Sequence, residues 1–360
     1  MTTQLLLFVA GLVGLVAGAE LLVRGASRLA LSFGISPLVV GLTVVAFGTS
    51  APEMTVSVAA VLDGQTGMAI GNVVGSNVFN VLGILGLAAL IAPLVVHVQV
   101  IRQEVPIMIG ASLLVMLLGL DGRIGLVDAA MLTALLVAYT VFLIVQSRAQ
   151  SADAPGEFAA ELPPPAAGRW DGHWAVQLLL VVAGLGLLVV GSDTMVGAAV
   201  DVARALGIGE VVIGLTILAV GTSLPEVAAS VMAAFKGERD IAVGNVVGSC
   251  VFNILGVIGL AGLATGSAGL PMPDSVLRFD LWVMLAAAVA CLPIFVTGRE
   301  VARWEGAIFV AYYAAYTAYL ILRAQQHEAL PAFSSLMMGF VGPLTLVTLV
   351  VMLIPRGRSG

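Results

Sequence analysis

The sequence predicts an all-α polytopic membrane protein, built from two inverted five-helix repeats and a further helix at the C-terminal end. Composition, the apolar runs along the chain and a long internal duplication lead to this prediction. Of the 360 residues, 60% are hydrophobic and only 10% are charged, and the mean hydropathy is +1.11. A water-soluble core of this length does not need so much apolar surface, whereas a chain that crosses the bilayer repeatedly does. The 42 glycines suit close helix packing in lipid.

Eleven apolar runs are long enough to cross a bilayer, some of them with tilt or a break. They lie near residues 4–30, 36–62, 68–92, 104–120, 125–147, 175–204, 210–235, 241–265, 279–297, 303–323 and 335–354. The stretch after the fifth run is rich in Pro, Ala and acidic residues, which is typical of a linker. The sequence therefore divides into a first repeat at 1–147, a linker at 148–174, a second repeat at 175–324, and an extra helix with its tail at 325–360.

The basic residues predict the orientation. If the N-terminus is outside, eleven Lys and Arg residues fall on the inner side and four on the outer side, as expected when positive charge stays in the cytoplasm. The linker at 148–174 is then cytoplasmic, and the protein lies in the inner (plasma) membrane. The first apolar run has no basic segment before it, so we interpret it as a membrane span and not as a cleaved signal. The modest net charge of −6 does not indicate a nucleic-acid partner.

Two motifs occur twice at a single offset. GLTVVAFGTSAPE at 41–53 returns as GLTILAVGTSLPE at 214–226, and GNVVGSNVFN at 71–80 returns as GNVVGSCVFN at 244–253. The offset of 173 residues needs no gap and already holds between Glu20 and Asp193, so the chain contains an internal duplication. Each half has five spans, an odd number, and the halves must therefore have opposite orientations. Inverted repeats are a common plan of secondary transporters, whose substrate site lies near the middle of the bilayer.

The GTSAPE motif predicts a broken helix with a carboxylate beside the break. Pro52 lacks the N–H group that would continue the helix, and Gly48 allows the backbone to bend. Thr49 and Glu53 are four residues apart and so share a face. An acid at the bilayer centre costs about 2.5–3.5 kcal/mol on insertion scales, and the second half repeats it as Glu226. Because the middles of these helices contain no Lys or Arg, a bound metal ion or a proton is expected to compensate the two acids.

The GNVVGSNVFN motif predicts a stripe of neutral oxygen ligands. Asn72, Ser76 and Asn80 are spaced four residues apart and lie on one helix face. Asn77 lies on another face, and its repeat equivalent is Cys250, which argues against a ligand role there. Neutral oxygens suit hard cations such as sodium and calcium.

Together, the two motifs offer enough oxygens for calcium. Two bidentate Glu carboxylates and the carbonyls of Thr49 and Thr222 supply six ligands, the lower end of calcium's usual range. If sodium uses an overlapping set, the two ions exclude each other, as exchange requires.

The doubled GTSAPE and GNVVGSNVFN motifs resemble the two alpha-repeats of the cation/calcium antiporter superfamily, and most closely its prokaryotic sodium/calcium exchanger branch. The resemblance covers residues 5–323. It implies ten core helices and sodium influx that drives calcium extrusion by alternating access, with the first and sixth helices sliding past an ion-binding core. It also implies calcium binding by Glu53, Glu226 and the carbonyls of Thr49 and Thr222. The sodium ligands it implies, some acting together with the threonines, are Ser50, Ser223, Ser76, Ser249, Asn80 and Asn253.

Two features depart from the family pattern. Some members have Asp where this chain has Asn253, and an acid there is associated with potassium co-transport in the potassium-dependent branch. Asn253 therefore favours potassium independence. The helix at 335–354 is additional to the ten of the family, and the sequence indicates no function for it.

Three alternatives remain at this stage. A proton-coupled antiporter of the same superfamily generally has an acid in the Gly-Asn stretch, which is neutral here. A channel is disfavoured by a single broken-helix site between inverted halves. An enzyme is disfavoured because the sequence has no HExxH, no GxGD pair and no Ser/His pair within helices.

We expect no cofactor besides the transported calcium and sodium ions. Glu20 and Asp193, on the first and sixth helices, line an access path or simply lie at water level.

Overall fold

The fold is described here from a computed structural model, for residues 2–153, 173–206 and 219–353. In these ranges nine helices are long and apolar enough to cross a membrane, and one bent helix pair adds a tenth span. The first five spans are Thr2–Phe33, the pair Pro37–Thr49 and Ala51–Leu62, Thr66–Ile91, Val100–Asp121 and Leu126–Asp153. The sixth and the eighth to eleventh are Trp174–Ala205, Arg239–Ala264, Val276–Val296, Arg303–Ala324 and Leu330–Leu353. The polytopic all-helical prediction is confirmed.

Two boundaries differ from the sequence expectation by five residues or more, and part of the seventh span lies outside the described residues. Of the seventh span, the structure describes Ala219–Gly221 and Leu224–Phe235, and the predicted residues 210–218 lie outside the described residues. The fifth helix continues to Asp153, into the predicted linker, because no Gly or Pro interrupts it before Pro155. The eleventh span begins at Leu330, five residues before the expected start, with Pro331 in its first turn.

The second and seventh spans are interrupted where the sequence predicts. The second span bends by 41° between Thr49 and Ala51, and Ser50 at the break has non-helical angles of φ −81° and ψ 3°. Pro52 lies in the first turn after the break, where its missing N–H group costs least. Ser223 and Pro225 repeat the arrangement, with φ −92° and ψ 8° at the serine.

The third and eighth spans contain matching irregular turns. The helix becomes a π-helix at Phe79–Leu85 in the third span and at Phe252–Val257 in the eighth. Both segments begin at the end of the GNVVGSNVFN-type motif, one residue before Asn80 and Asn253. Wide helical turns of this kind occur frequently at functional sites.

Glycines on the first and sixth helices show that these equivalent helices run antiparallel. A Cβ atom at Gly11 would lie 2.6 Å from the Gly191 carbonyl oxygen, and one at Gly18 would lie 2.8 Å from the Gly184 carbonyl oxygen. By the 173-residue offset, Gly11 corresponds to Gly184 and Gly18 to Gly191. Only glycine permits this close approach. Each glycine therefore lies against the repeat equivalent of the other one, so the two helices run in opposite directions and the two halves are inverted.

Two short antiparallel ribbons confirm the inversion. β1 (Leu94–Val95) pairs with β4 (Glu300–Val301), with Leu94 opposite Val301. β2 (Arg123–Ile124) pairs with β3 (Leu270–Pro271), with Arg123 opposite Pro271. The loop after the third span thus shares an end of the bundle with the loop after the ninth. Parallel halves would have placed it with the loop after the eighth span, its own repeat equivalent.

The motif helices form the centre of the bundle. In the apolar windows of the third and eighth spans, 78% and 89% of the residues are buried, against 33% in the first span. The eleventh span lies at the periphery, where its window has 0% buried residues. It contacts the ninth and tenth spans, and Tyr312 and Thr345 form a hydrogen bond across this contact.

Candidate ion-binding site

The ten residues implied as ion ligands converge in the middle of the bundle. Nine of them are at most 1% exposed, and Thr222 is partly exposed. They are Thr49, Ser50, Glu53, Ser76, Asn80, Thr222, Ser223, Glu226, Ser249 and Asn253. The π-helical turn at Phe79–Leu85 packs against Leu224–Phe235, and the turn at Phe252–Val257 packs against Ala51–Leu62. Each motif of one half therefore meets the broken helix of the other.

The two carboxylates are hydrogen-bonded crosswise between the halves. The Ser50 hydroxyl donates to Glu226 Oε1 over 3.1 Å, and the Ser223 hydroxyl donates to Glu53 Oε1 over 2.8 Å. Each serine lies three residues before the glutamate of its own half but binds the glutamate of the other. Both halves are therefore required to assemble one acidic centre.

The Ser223 hydroxyl extends this network to the third span. It lies 3.3 Å from the Ser76 hydroxyl oxygen, within hydrogen-bond distance. Ser223, Ser76 and Glu53 thus form one continuous group of oxygen atoms at the helix break.

Several buried oxygens at this centre have no hydrogen-bond partner among the described residues. They are Oε2 of Glu53, Oε2 of Glu226, the hydroxyl of Ser249 and the side-chain oxygens of Asn80 and Asn253. Buried polar atoms in proteins are nearly always paired, so this cluster is a candidate ion-binding site. Carboxylate, amide and hydroxyl oxygens are the ligands that hard cations take. In the described ranges, no three His, Cys, Asp or Glu side chains come together, so neutral oxygens make up the rest of the donor set.

Two asparagines that are absent from the ligand set implied by the resemblance contact the site. Asn245 accepts a hydrogen bond from the Thr49 hydroxyl over 3.1 Å, and Asn72 accepts one from the Thr222 hydroxyl over 3.5 Å. Both are the first asparagine of the GNVVGSN-type motif. Their exact duplication at the 173-residue offset was the signal that pointed to them.

Asn77 and Cys250 contact each other across the centre of the molecule. The Asn77 amide donates to the Cys250 carbonyl over 3.4 Å, and the Cys250 thiol donates to the Asn77 carbonyl over 3.9 Å. These residues are repeat equivalents, so the pseudo-twofold axis that relates the halves passes between them.

Comparison with known proteins agrees with this geometry. The family model described as sodium/calcium exchanger protein matches residues 3–145 and 176–322. The putative antiporter CaxA of Alkalimonas amylolytica is 37% identical over 311 residues, covering 85% of this chain and 95% of CaxA. The sodium/calcium exchanger MaX1 of Methanosarcina acetivorans is 32% identical, covering 88% of this chain and 97% of MaX1.

A solved structure has the same fold. The sodium-calcium exchanger NCX_Mj superposes with a TM-score of 0.74 at 28% identity, covering 88% of this chain and 98% of that protein. The family match spans both repeats and leaves out the linker and the region of the eleventh helix. The chain is a multi-pass membrane protein that belongs to the sodium/calcium exchanger family, in the prokaryotic branch of the cation/calcium antiporter superfamily.

Proposed function

We propose that this protein is a secondary active antiporter that exchanges sodium for calcium by alternating access, independently of potassium, and that it is not an enzyme. The crosswise pairing of Ser50 with Glu226 and of Ser223 with Glu53 carries this proposal. It creates one acidic centre that both inverted halves share. A relative movement of the halves can then expose the same centre to either side of the membrane.

Calcium is the cargo that best matches the charge of the centre. The carboxylates of Glu53 and Glu226 are 0% exposed, and together their two negative charges balance one divalent cation. Each keeps one carboxylate oxygen without a hydrogen-bond partner among the described residues. With the carbonyls of Thr49 and Thr222 they provide the six oxygens that calcium accepts as a minimum.

Sodium ions use the surrounding neutral oxygens in this proposal. The residues concerned are Ser50, Ser223, Ser76, Ser249, Asn80 and Asn253. Ser50 and Ser223 are hydrogen-bonded to the carboxylates that hold calcium. Occupancy by sodium and occupancy by calcium therefore compete for the same side chains, which couples the two fluxes.

The neutral charge of Asn80 and Asn253 supports potassium independence. With only Glu53 and Glu226 ionised at the centre, one calcium ion neutralises the site and no further cation is required. The absence of an acid from both Gly-Asn stretches also disfavours coupling to protons. For orientation we propose an outside N-terminus and a cytoplasmic segment 148–174, in the inner (plasma) membrane, from the distribution of basic residues.

Isotopic calcium uptake into proteoliposomes tests this function. Uptake is measured against imposed gradients of sodium, potassium and protons in turn. We expect a sodium gradient alone to drive saturable calcium uptake. Uptake driven by a proton gradient without sodium would instead indicate a proton-coupled antiporter. Uptake that requires potassium would overturn the assignment made from Asn253, and uptake without any counter-ion would indicate a channel.

A further inference from the structure

Asn72 and Asn245 make equivalent sets of three hydrogen bonds. In each set, two bonds stay within the asparagine's own half and one reaches the other half. The Asn245 amide group donates to the Ser230 hydroxyl over 2.9 Å and to the Glu226 carbonyl over 3.4 Å. Its oxygen accepts from the Thr49 hydroxyl of the other half over 3.1 Å. Asn72 forms the same bonds to Ser57, Glu53 and Thr222, at 3.0, 3.5 and 3.5 Å.

These bonds restrain the backbone on both sides of the helix breaks. Thr49 lies directly before the break in the second span, and Glu226 lies in the first helical turn after the break in the seventh. Asn245 binds both, so it fixes the spacing between a threonine of one half and a glutamate of the other. A hydroxyl held in this way also keeps the threonine from rotating. Polar groups behind the direct ligands of a metal commonly set ligand orientation and affinity.

We propose that Asn72 and Asn245 are positioning residues for the ion site, each holding the threonine of the opposite half so that its backbone turn is kept in place for the cation. This inference rests on the proposed function, because it takes Thr49 and Thr222 as calcium ligands. The asparagines themselves do not bind the ion in this scheme. They act through the threonine hydroxyls.

A double-mutant cycle on calcium binding tests this role. Calcium titration of the detergent-solubilised protein is compared for wild type, Thr49→Val, Asn245→Leu and the double variant. Thr49→Val removes the hydroxyl and leaves the carbonyl. We expect each single variant to weaken calcium binding about 10- to 100-fold, as losses behind a metal site typically do. We expect the double variant to bind calcium no more weakly than the weaker-binding single variant, because both substitutions remove the same hydrogen bond.

Additive effects, or unchanged binding in Asn245→Leu, would overturn the proposal. Thr140→Val is the matched control for Thr49→Val, since the Thr140 hydroxyl donates to the Leu136 carbonyl of its own helix over 2.9 Å, and its calcium binding should stay close to wild type. If Asn245→Leu does not fold, the less buried pair Asn72→Leu and Thr222→Val gives the same cycle. The titration needs no sodium gradient. If wild-type protein binds calcium but a sodium gradient does not drive its calcium transport, the exchange function is refuted and this test still applies.

A second observation concerns the two ends of the molecule, which are closed to different extents. Thr49 and Asn245 are 0% exposed, whereas their repeat equivalents Thr222 and Asn72 are partly exposed. Among the described residues, the centre is thus more exposed on the Asn72 side than on the Asn245 side.

The packing of the helices shows the same asymmetry. The first helix, Thr2–Phe33, packs along Leu224–Phe235 after the break in the seventh span. The equivalent pair is Trp174–Ala205 and Ala51–Leu62, and it makes no comparable contact within the described ranges. For the part of the chain that the structure describes, the end that carries the loop at 236–238 is therefore the closed end, and the opposite end is the more open one.

Two polar contacts join the first helix to the loop at the closed end. Lys236 Nζ lies 2.5 Å from Glu20 Oε1, and the Ser27 hydroxyl donates to Glu238 Oε1 over 2.8 Å. The open end has no residues that can repeat them. By the 173-residue offset, Glu20 and Lys236 correspond to Asp193 and Asp63, and Ser27 and Glu238 to Val200 and Gln65. Two acids repel each other, and Val200 has no hydroxyl.

We infer that the contacts of Glu20 with Lys236 and of Ser27 with Glu238 form a latch, which favours the state closed at that end. Within the described ranges, the residues at the equivalent positions of the other end form no such latch. The latch therefore makes the two access states unequal in free energy. A site that faces one side for only a fraction of the time has a higher apparent Kd from that side. The intrinsic Kd is divided by that fraction.

Calcium transport measured separately from each side of sealed vesicles tests the latch. In Glu20→Gln we expect the half-saturating calcium concentration to fall at the latch end and to rise at the opposite end. Each change should be about 1.5- to 5-fold, because partly exposed ion pairs contribute little. The exchanged variant, Glu20→Lys with Lys236→Glu, should return both values toward wild type, and Arg278→Gln should change neither. Among the described residues, Arg278 forms an ion pair with exposed Asp274, at 3.4 Å.

Equal shifts of the same sign at both ends, or no shift at either, would overturn the latch. General loss of structure changes both ends alike and is thereby separated from a change in access. The latch rests on alternating access. Absence of calcium transport in wild type would refute the proposed function, whereas normal transport without opposed shifts would refute the latch alone.

Discussion

The Ser223 hydroxyl of the second half donates a 2.8 Å hydrogen bond to the Glu53 carboxylate of the first half. Ser50 and Glu226 repeat this contact in the opposite sense. A serine of each repeat therefore donates a hydrogen bond to the glutamate of the other repeat, and the packing of the helices maintains this exchange of partners.

Removal of the crosswise hydroxyls should weaken calcium binding. A hydrogen bond to a charged group contributes about 1.5–3 kcal/mol, so Ser223→Ala and Ser50→Ala should each raise the calcium dissociation constant about 10- to 100-fold. Calcium titration of the purified variants checks this. Ser112→Ala is the matched control, since this buried hydroxyl donates to the Met108 carbonyl of its own helix over 2.8 Å. An affinity equal to that of wild type in both variants would remove the serines from the site.

An added acid at position 253 should change the ions on which transport depends. Asn253 is 0% exposed, and its amide has no hydrogen-bond partner in the described part of the chain. Asn253→Asp places a third carboxylate at a centre that one calcium ion otherwise neutralises. We expect calcium uptake by this variant to require an additional monovalent cation, such as potassium, or a proton. Uptake with the same ion dependence as wild type would contradict the assignment of Asn253.

The contact between the first and sixth helices should not tolerate a methyl group. A Cβ atom at Gly184 would lie 2.6 Å from the Leu22 backbone nitrogen and 2.8 Å from the Gly18 carbonyl oxygen. Gly184→Ala must push the helices apart, and overpacking of this kind typically destabilises a protein by about 1–3 kcal/mol.

Thermal unfolding in detergent and calcium flux measure the effect of Gly184→Ala. We expect a lower unfolding temperature and slower flux. Gly186→Ala on the same helix is the control, because a Cβ atom there meets no atom within 4 Å. Equal stability of the two variants would mean that the close approach is dispensable.

The sequence was sufficient to predict the inverted repeat, because the 173-residue offset and five spans per half allow no other arrangement. It also predicted the breaks at Ser50 and Ser223 from the adjacent prolines. The crosswise pairing was not predictable, because sequence spacing relates Ser50 to Glu53 within one helix. Only the folded structure shows that Ser50 contacts Glu226 instead.

The roles of Asn72 and the first-helix glycines were also beyond the sequence. Asn72 lies on the same predicted stripe as Ser76 and Asn80, and spacing alone does not distinguish a direct ligand from a residue behind it. Gly11 and Gly18 are separated by seven residues, but their contacts with Gly191 and Gly184 depend on how the halves meet. The unequal closure of the two ends is a property of one conformational state, and a repeat in the sequence is compatible with either state.

Sodium-driven calcium uptake by Glu53→Gln and Glu226→Gln, compared with Glu104→Gln, tests the central claim most directly. Glu104 is equally buried, at 0% exposure, but neutral donors from Gln99, Gln103 and Tyr139 satisfy its carboxylate away from the helix breaks. We expect Glu53→Gln and Glu226→Gln each to abolish calcium uptake in a folded protein, and Glu104→Gln to retain it. Uptake close to wild type in Glu53→Gln or Glu226→Gln would contradict the claim that the paired glutamates hold calcium.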